Sequence, residues 1–205
     1  MPSINDMMEV VDLLKVKAID VDELKCVAVR NRISRCRKCV DACIADAITC
    51  DHNEIAVDAA ACVNCGCCVA VCPDHALFAL EPRASSVDAA VDKTADRASG
   101  MAVIACARKA ARREGDPAKH ATVPCLGHID EEQLVAYAAG GLGDIVLVDG
   151  ECATCKYGAA SPLIDVVVDE AAKLIEAAGA DAIVTRTSAF PPEVIDHSAA
   201  DPRGR

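Results

Sequence analysis

Apolar and polar positions follow two different rhythms along this chain. From 101 to 190, short apolar runs alternate with segments of helical period. Met101-Ala-Val-Ile-Ala105, Ala121-Thr-Val123, Asp144-Ile-Val-Leu-Val148 and Asp181-Ala-Ile-Val-Thr185 predict strands. Ala107 to Glu114 predicts a helix. A second helix is marked by Asp130 as N-cap, Gln133 three positions on, Ile129 and Leu134 as a hydrophobic staple, and Gly140-Gly141 as its end. Ser161-Pro162 opens a long third helix that stops at Gly179. Strands alternating with helices predict a small α/β domain with a mostly parallel, doubly wound sheet.

The chain before Ala84 carries shorter elements. Ile4, Met7, Met8, Val11 and Leu14 fall on one face of a helix over 3–15 with Ser3 as its N-cap. Asp6, Glu9 and Asp12 make that helix a packing element and not a membrane anchor. Cys26-Val-Ala-Val-Arg30 and Glu54-Ile-Ala-Val57 predict strands. Ala84 to Gly100, rich in Ala, Asp and Ser, predicts a linker or a weak solvated helix. Residues 191–205 are polar enough to predict a mobile tail. The expected organisation is an N-terminal helix (1–24), an α+β unit (25–83), a linker (84–100), the α/β domain (101–190) and the tail.

Composition narrows the chemistry. The chain is 53% hydrophobic, ample for a core, yet holds only two Phe, two Tyr and no Trp, so Ala and Val carry much of the burial. A net charge of −11 excludes nucleic acid or an anionic membrane surface as the main partner. The start lacks a basic segment followed by an apolar one, and no apolar run approaches the roughly 18 residues of a membrane span. The expected location is cytoplasmic. There thiols stay reduced, so the 14 cysteines read as metal ligands and not as disulfides.

Seven of them are spaced with purpose. Cys62-x2-Cys65-x2-Cys68-x3-Cys72-Pro73 is the run in which three cysteines of a tight loop and one further on hold [4Fe–4S] clusters. Sliding it back along the chain lays Cys65, Cys68 and Cys72 together over Cys36, Cys39 and Cys43, an internal repeat. Cys62 falls on Ile33, which cannot bind iron. This region resembles the two-cluster bacterial-type ferredoxins, and the resemblance implies a ferredoxin-like α+β fold. In that family the fourth cysteine of each run ligates the other run's cluster. One [4Fe–4S] cluster would then take Cys62, Cys65, Cys68 and Cys43. The other would take Cys36, Cys39 and Cys72. It would be a [3Fe–4S] cluster, a [4Fe–4S] cluster completed by Cys26, Cys50 or Cys67, or absent.

The other cysteines gather by topology. Cys106 follows the first α/β strand, Cys125 lies past the second, and Cys152-Ala-Thr-Cys155 follows the third. All four therefore belong at the carboxyl rim of a parallel sheet, where open α/β sheets place ligands. With Val123-Pro-Cys125-Leu-Gly-His-Ile-Asp130, this arrangement resembles the delta-subunit family of methyl-viologen-reducing hydrogenases. Those iron–sulfur subunits pass electrons between a hydrogenase or formate dehydrogenase and heterodisulfide reductase. The resemblance implies a [2Fe–2S] or [4Fe–4S] cluster, although Lys109 stands where a second cysteine is expected. A four-thiolate structural zinc site is the rival. A thioredoxin-like dithiol would leave Cys106 and Cys125 idle.

Other signals carry less. Gly140-Gly-Leu-Gly143 follows a helix and precedes a strand, the reverse of a dinucleotide loop. The five histidines show no ligand spacing, and His128 reads as a solvent-exposed loop residue. Arg30, Arg32, Arg35, Arg37 and Lys38 form a basic cluster, either a solvated loop or a patch that raises a cluster potential or docks an acidic partner. The expected function is an iron–sulfur electron-transfer subunit of an anaerobic oxidoreductase complex. It would relay single electrons between a redox enzyme partner and an acceptor such as a hydrogenase or heterodisulfide reductase, without activity alone. A redox- or oxygen-sensing iron–sulfur scaffold is the alternative.

Overall fold

A computed structural model describes residues 17–195. The helix expected over 3–15 and the expected tail beyond Ile195 lie outside that range. Among the described residues, no helix is long and apolar enough to cross a membrane. The N-terminal half is built from two small antiparallel sheets. Strand β1 (Ile19–Val21) pairs with β4 (Leu77–Ala79), and β2 (Ile48–Asp51) pairs with β3 (Glu54–Val57). The second pair is a hairpin whose two turn residues, His52 and Asn53, both take positive φ (49° and 65°). That geometry matches the twist of the flanking strands, and Asn tolerates it well. Asn53 Nδ2 then donates to the Ala28 carbonyl at 2.8 Å, tying the turn to helix α1 (Val27–Arg30).

Helix α1 corrects one expectation. The strand expected over Cys26 to Arg30 is instead a single helical turn, and the entering strand, β1, lies earlier. Helix formation here turns Ala28 inward and places Cys26 beside the cysteine loop. Tertiary packing overrides the β preference of two valines.

The internal repeat is visible in the backbone. The offset that superimposes the cysteine runs also lays helix α2 (Lys38–Asp41) over α3 (Cys67–Ala70), and the start of β2 over that of β4. Asp46 and His75, equivalent under the same offset, both adopt left-handed conformations with φ of 50° and 46°. Buried Ala47 and Ile48 in one half match Ala76 and Leu77 in the other.

Helix α4 (Ala84–Ala95) replaces the expected linker. It is not solvated: Val87, Val91 and Ala95 are buried, the first two in the same core as the C-terminal sheet. Its apolar residues at a spacing of four make the stripe that a packed helix needs, with polar positions outward.

The C-terminal sheet has four parallel strands in the order β6 (Ala121–Val123), β5 (Ala102–Cys106), β7 (Asp144–Val148), β8 (Ile183–Thr187). Helix α5 (Ala107–Ala110) connects β5 to β6, α6 (Glu131–Ala139) connects β6 to β7, and α7 (Ser161–Ala177) connects β7 to β8. The capping box of α6 forms as predicted, with Gln133 N–H donating to Asp130 Oδ1 at 2.8 Å. Right-handed crossovers put α5 on one face and α6 and α7 on the other, because the chain reverses direction across the sheet after β6. The winding is therefore lopsided. Helices α4, α6 and α7 fill one face with Ile104, Ile145 and Leu147, while the opposite face is closed by Ala110, Phe190 and Val194. Phe190 to Ile195 is thus not a free tail. Val194 is fully buried, and its carbonyl accepts from Asp116 N at 2.8 Å.

Candidate metal centres

Three groups of thiols emerge from this scaffold. The first joins Cys62, Cys65 and Cys68 from the loop before and within α3 to Cys43 at the end of α2. Burial pushes the Cys68 thiol up, and Cys65, Cys62 and Cys43 add to the effect as neighbouring negative charges. Cys62 is raised by burial and then by Cys65 and Cys43. The four cysteines expected as one ligand set thus lie within electrostatic reach of one another. Such crowding is unfavourable for thiolates alone and becomes favourable once iron supplies positive charge between them. Cys43 Sγ accepts the Ala47 N–H at 3.2 Å, and the repeat places the same bond from Ala76 to Cys72 Sγ, also 3.2 Å. Backbone donors to the sulfurs favour the charged form and tune a cluster's potential.

The second group lies at the other end of the repeat. Cys36, Cys39 and Cys72 line one cavity together with Cys26 and Cys50. Burial lifts Cys39 to about 11, with Cys50, Cys72 and Cys26 adding as neighbouring charges. Ile33, at the position where the repeat lacks its ligand, is 85% exposed and faces solvent. Cys67 does not line this cavity. It is fully buried beside the first group, where its neighbours are Cys65, Cys125 and Cys68. The basic side chains Arg30, Arg32, Arg35, Arg37 and Lys38 are exposed on the segments that carry this second group. The positive charge of Arg37 acts against the burial that raises Cys50.

The third group sits on the sheet rim. Cys106 ends β5, and Cys152 and Cys155 follow β7. β5 and β7 are the adjacent strands from which the chain departs in opposite directions, the switch point where open α/β sheets leave a crevice. Cys125, just past β6, completes the set, and all four line one cavity with Arg108, Asp149 and Tyr157. Gly150 N–H donates to Cys106 Sγ at 3.2 Å across the crevice. Burial lifts Cys125 to about 11, with Cys65, Cys106 and Cys152 as further neighbouring charges. Cys152 is raised by burial and then by the carboxylate of Asp149.

Sequence reasoning missed Arg186. From β8 its Nη2 reaches Cys152 Sγ at 3.5 Å, its Nε donates to Asp149 Oδ2 at 2.9 Å, and its Nη1 donates to Asp165 at 2.6 Å. The available signal was an arginine inside the strand Ile183-Val-Thr-Arg-Thr187. Arg108 approaches the same rim, held by Thr154 at 2.7 Å. Lys109, by contrast, turns away. It is buried against Phe190 and paired with Glu114, so the place where a cysteine was expected packs the other face of the sheet.

The first and third groups meet at a close seam. The turn Leu126–His128 lies on the loop Asn64–Cys68. A Cβ on Gly127 would stand 2.8 Å from the Cys65 carbonyl and from Cys67 Sγ, and one on Gly66 would stand 2.6 Å from His128. His128 is not the exposed loop residue expected. It is buried, and its Nε2 is 3.0 Å from the Asn64 carbonyl oxygen.

Among the described residues, no three His, Cys, Asp or Glu side chains converge on the position of a single ion. A mononuclear thiolate site needs sulfurs roughly 3.8 Å apart, given a zinc–sulfur distance near 2.3 Å. A cluster spreads its own iron and sulfide between its thiolates. The donor chemistry fits such a group: thiols, with amide and guanidinium donors behind them and, at the rim, the Asp149 carboxylate beside Cys152. Comparisons with family models, with curated proteins and with solved structures return no match.

Proposed function

We propose that this protein is an iron–sulfur electron carrier, relaying single electrons between a redox enzyme partner and an acceptor within a larger oxidoreductase complex. The observation that carries this reading is the ordering of the three thiol groups. Cys39 of the second is a charge neighbour of Cys68 in the first, and Cys65 of the first is a charge neighbour of Cys125 in the third. Three sites within electrostatic reach of one another, in that order, support a path with two ends.

Thiolate-held iron accepts and returns one electron at a time, at a potential set by cluster type, hydrogen bonds and burial. The chain's own contribution is to hold the thiols, to aim the N–H groups of Ala47, Ala76 and Gly150 at three of them, and to exclude water at the seam between its halves. The N-terminal half, with its duplicated cysteine loop, supports a ferredoxin-like unit. The sheet rim with Cys106, Cys125, Cys152 and Cys155 supports the likeness to hydrogenase delta subunits, with a [2Fe–2S] cluster there.

The test is an anaerobic iron and sulfide count with EPR of oxidised and reduced protein. About ten irons per chain, from two four-iron centres and one two-iron centre, are expected. Zinc in place of iron at the rim would reduce the path to its N-terminal part. A chain that binds no iron would overturn the reading.

A further inference from the structure

Five thiols, one more than a four-iron cluster requires, surround the second cavity. We propose that Cys50 and Cys26 replace the ligand missing at Ile33, Cys50 as the fourth ligand of a complete [4Fe–4S] cluster and Cys26 as its reserve. The inference rests on the iron–sulfur reading above and names the ligands of one of its sites.

Three observations support it. The loop position that would ordinarily donate carries Ile33, which is 85% exposed and supplies no thiol to the cavity. Cys50 and Cys26 reach the cavity from elements outside that loop. Cys50 stands on β2, paired opposite Ile55, and Cys26 precedes α1, the helical turn that takes the place of the expected strand. Both also line the same cavity as the regular ligands Cys36, Cys39 and Cys72. Cys26 is the more deeply buried of the two, packed with Ile19, Ile48 and Leu77 in the N-terminal core. A half-buried thiol on a hairpin can follow a cluster that moves, and a buried one behind it can take over if the first is lost.

The experiment uses the full chain, reconstituted anaerobically with iron and sulfide, carrying Cys26→Ser, Cys50→Ser or both. Cys26→Ser is expected to keep the iron count, because Cys50 still completes the cluster. Cys50→Ser is expected to keep the iron count with an altered signal from the second centre, as Cys26 takes over. The double variant is expected to lose about one iron per chain and show an oxidised [3Fe–4S] signal. The reduced signal of the first centre, held by Cys62, Cys65, Cys68 and Cys43, reports correct folding in each sample. A double variant that keeps the full count and signals overturns the proposal while leaving the electron-carrier reading standing. The wild-type protein tests it independently of any folding defect, since a [3Fe–4S] signal there shows that neither thiol serves as a ligand. Absence of iron throughout would instead remove the electron-carrier reading, and this proposal with it.

Discussion

The N-terminal cysteine loops and the C-terminal sheet rim gather thiols by opposite means. In the loops, cysteines at intervals of three lie along one tight turn, and each set draws only one regular member, Cys43 or Cys72, from the other run. On the rim, Cys106, Cys125 and Cys155 are far apart in sequence, and only the strand order β6-β5-β7-β8 assembles them. Local sites tolerate change elsewhere in the fold, whereas a topological site depends on everything that keeps the strands in register. The difference predicts where each site is fragile.

The largest effect should come from the loop itself. Cys68 is buried between the first and second groups, with Cys39 among its charge neighbours. Cys68→Ala should leave the first centre with three thiolates, so that it loses at least one iron per chain and its four-iron EPR signal, while iron or zinc at the rim stays. Loss of metal from the rim as well would show that the two halves do not hold their sites independently.

The rim should break through its support. Arg186 is largely buried, with a side chain 11% exposed, and pairs with Asp149, whose side chain is 17% exposed. Arg186→Met leaves that carboxylate without its partner and should cost about 3 kcal/mol in a denaturant titration. It also removes a positive charge and a donor beside Cys152 Sγ. The potential of the rim centre should therefore fall, because the reduced, more negative state loses its stabilisation. An unchanged potential would confine Arg186 to holding β8 against α7.

This contrast also explains what was legible in the residues. Strand and helix alternation after Met101, the capping box at Asp130 and the repeated cysteine loop all act over short range, and each appears where its pattern points. Cys26 to Arg30 departs from its pattern because two valines favour a strand only where a partner strand is present, and β1 already fills that place. The buried face of α4 was hidden by its small residues, since Ala and Val at intervals of four signal weakly beside Asp and Ser. His128 and Arg186 could not be read for their partners, even though an arginine within a strand marks the latter. Each owes its role to an element far away in sequence, Asn64 in one case and Asp149 in the other.

The seam between the two kinds of site is sensitive to a single carbon. Gly127→Ala would bring a methyl group within 2.8 Å of a backbone oxygen and a buried sulfur. Neither can yield freely, so a cost of about 1–3 kcal/mol is expected, with slower electron exchange between the first and third centres. Gly143→Ala is the control, because a Cβ there meets nothing within 4 Å. Equal stability of the two variants would mean that the seam opens readily.

The smallest effect is one of pH and belongs to the same seam. Burial holds the His128 imidazole below its ordinary value of 6.5, only partly offset by its hydrogen bond to the Asn64 carbonyl. The unfolded chain thus takes up a proton near pH 6.5 that the folded chain refuses. This contribution to stability is complete above that pH and is lost as the pH falls below it. His128→Gln keeps a donor for Asn64 and carries no titrating ring. Measured from about pH 7.5 down to about pH 5.5, the wild-type chain should lose more stability than the variant. Parallel losses would show that the histidine, though buried at the seam, does not sense the proton there.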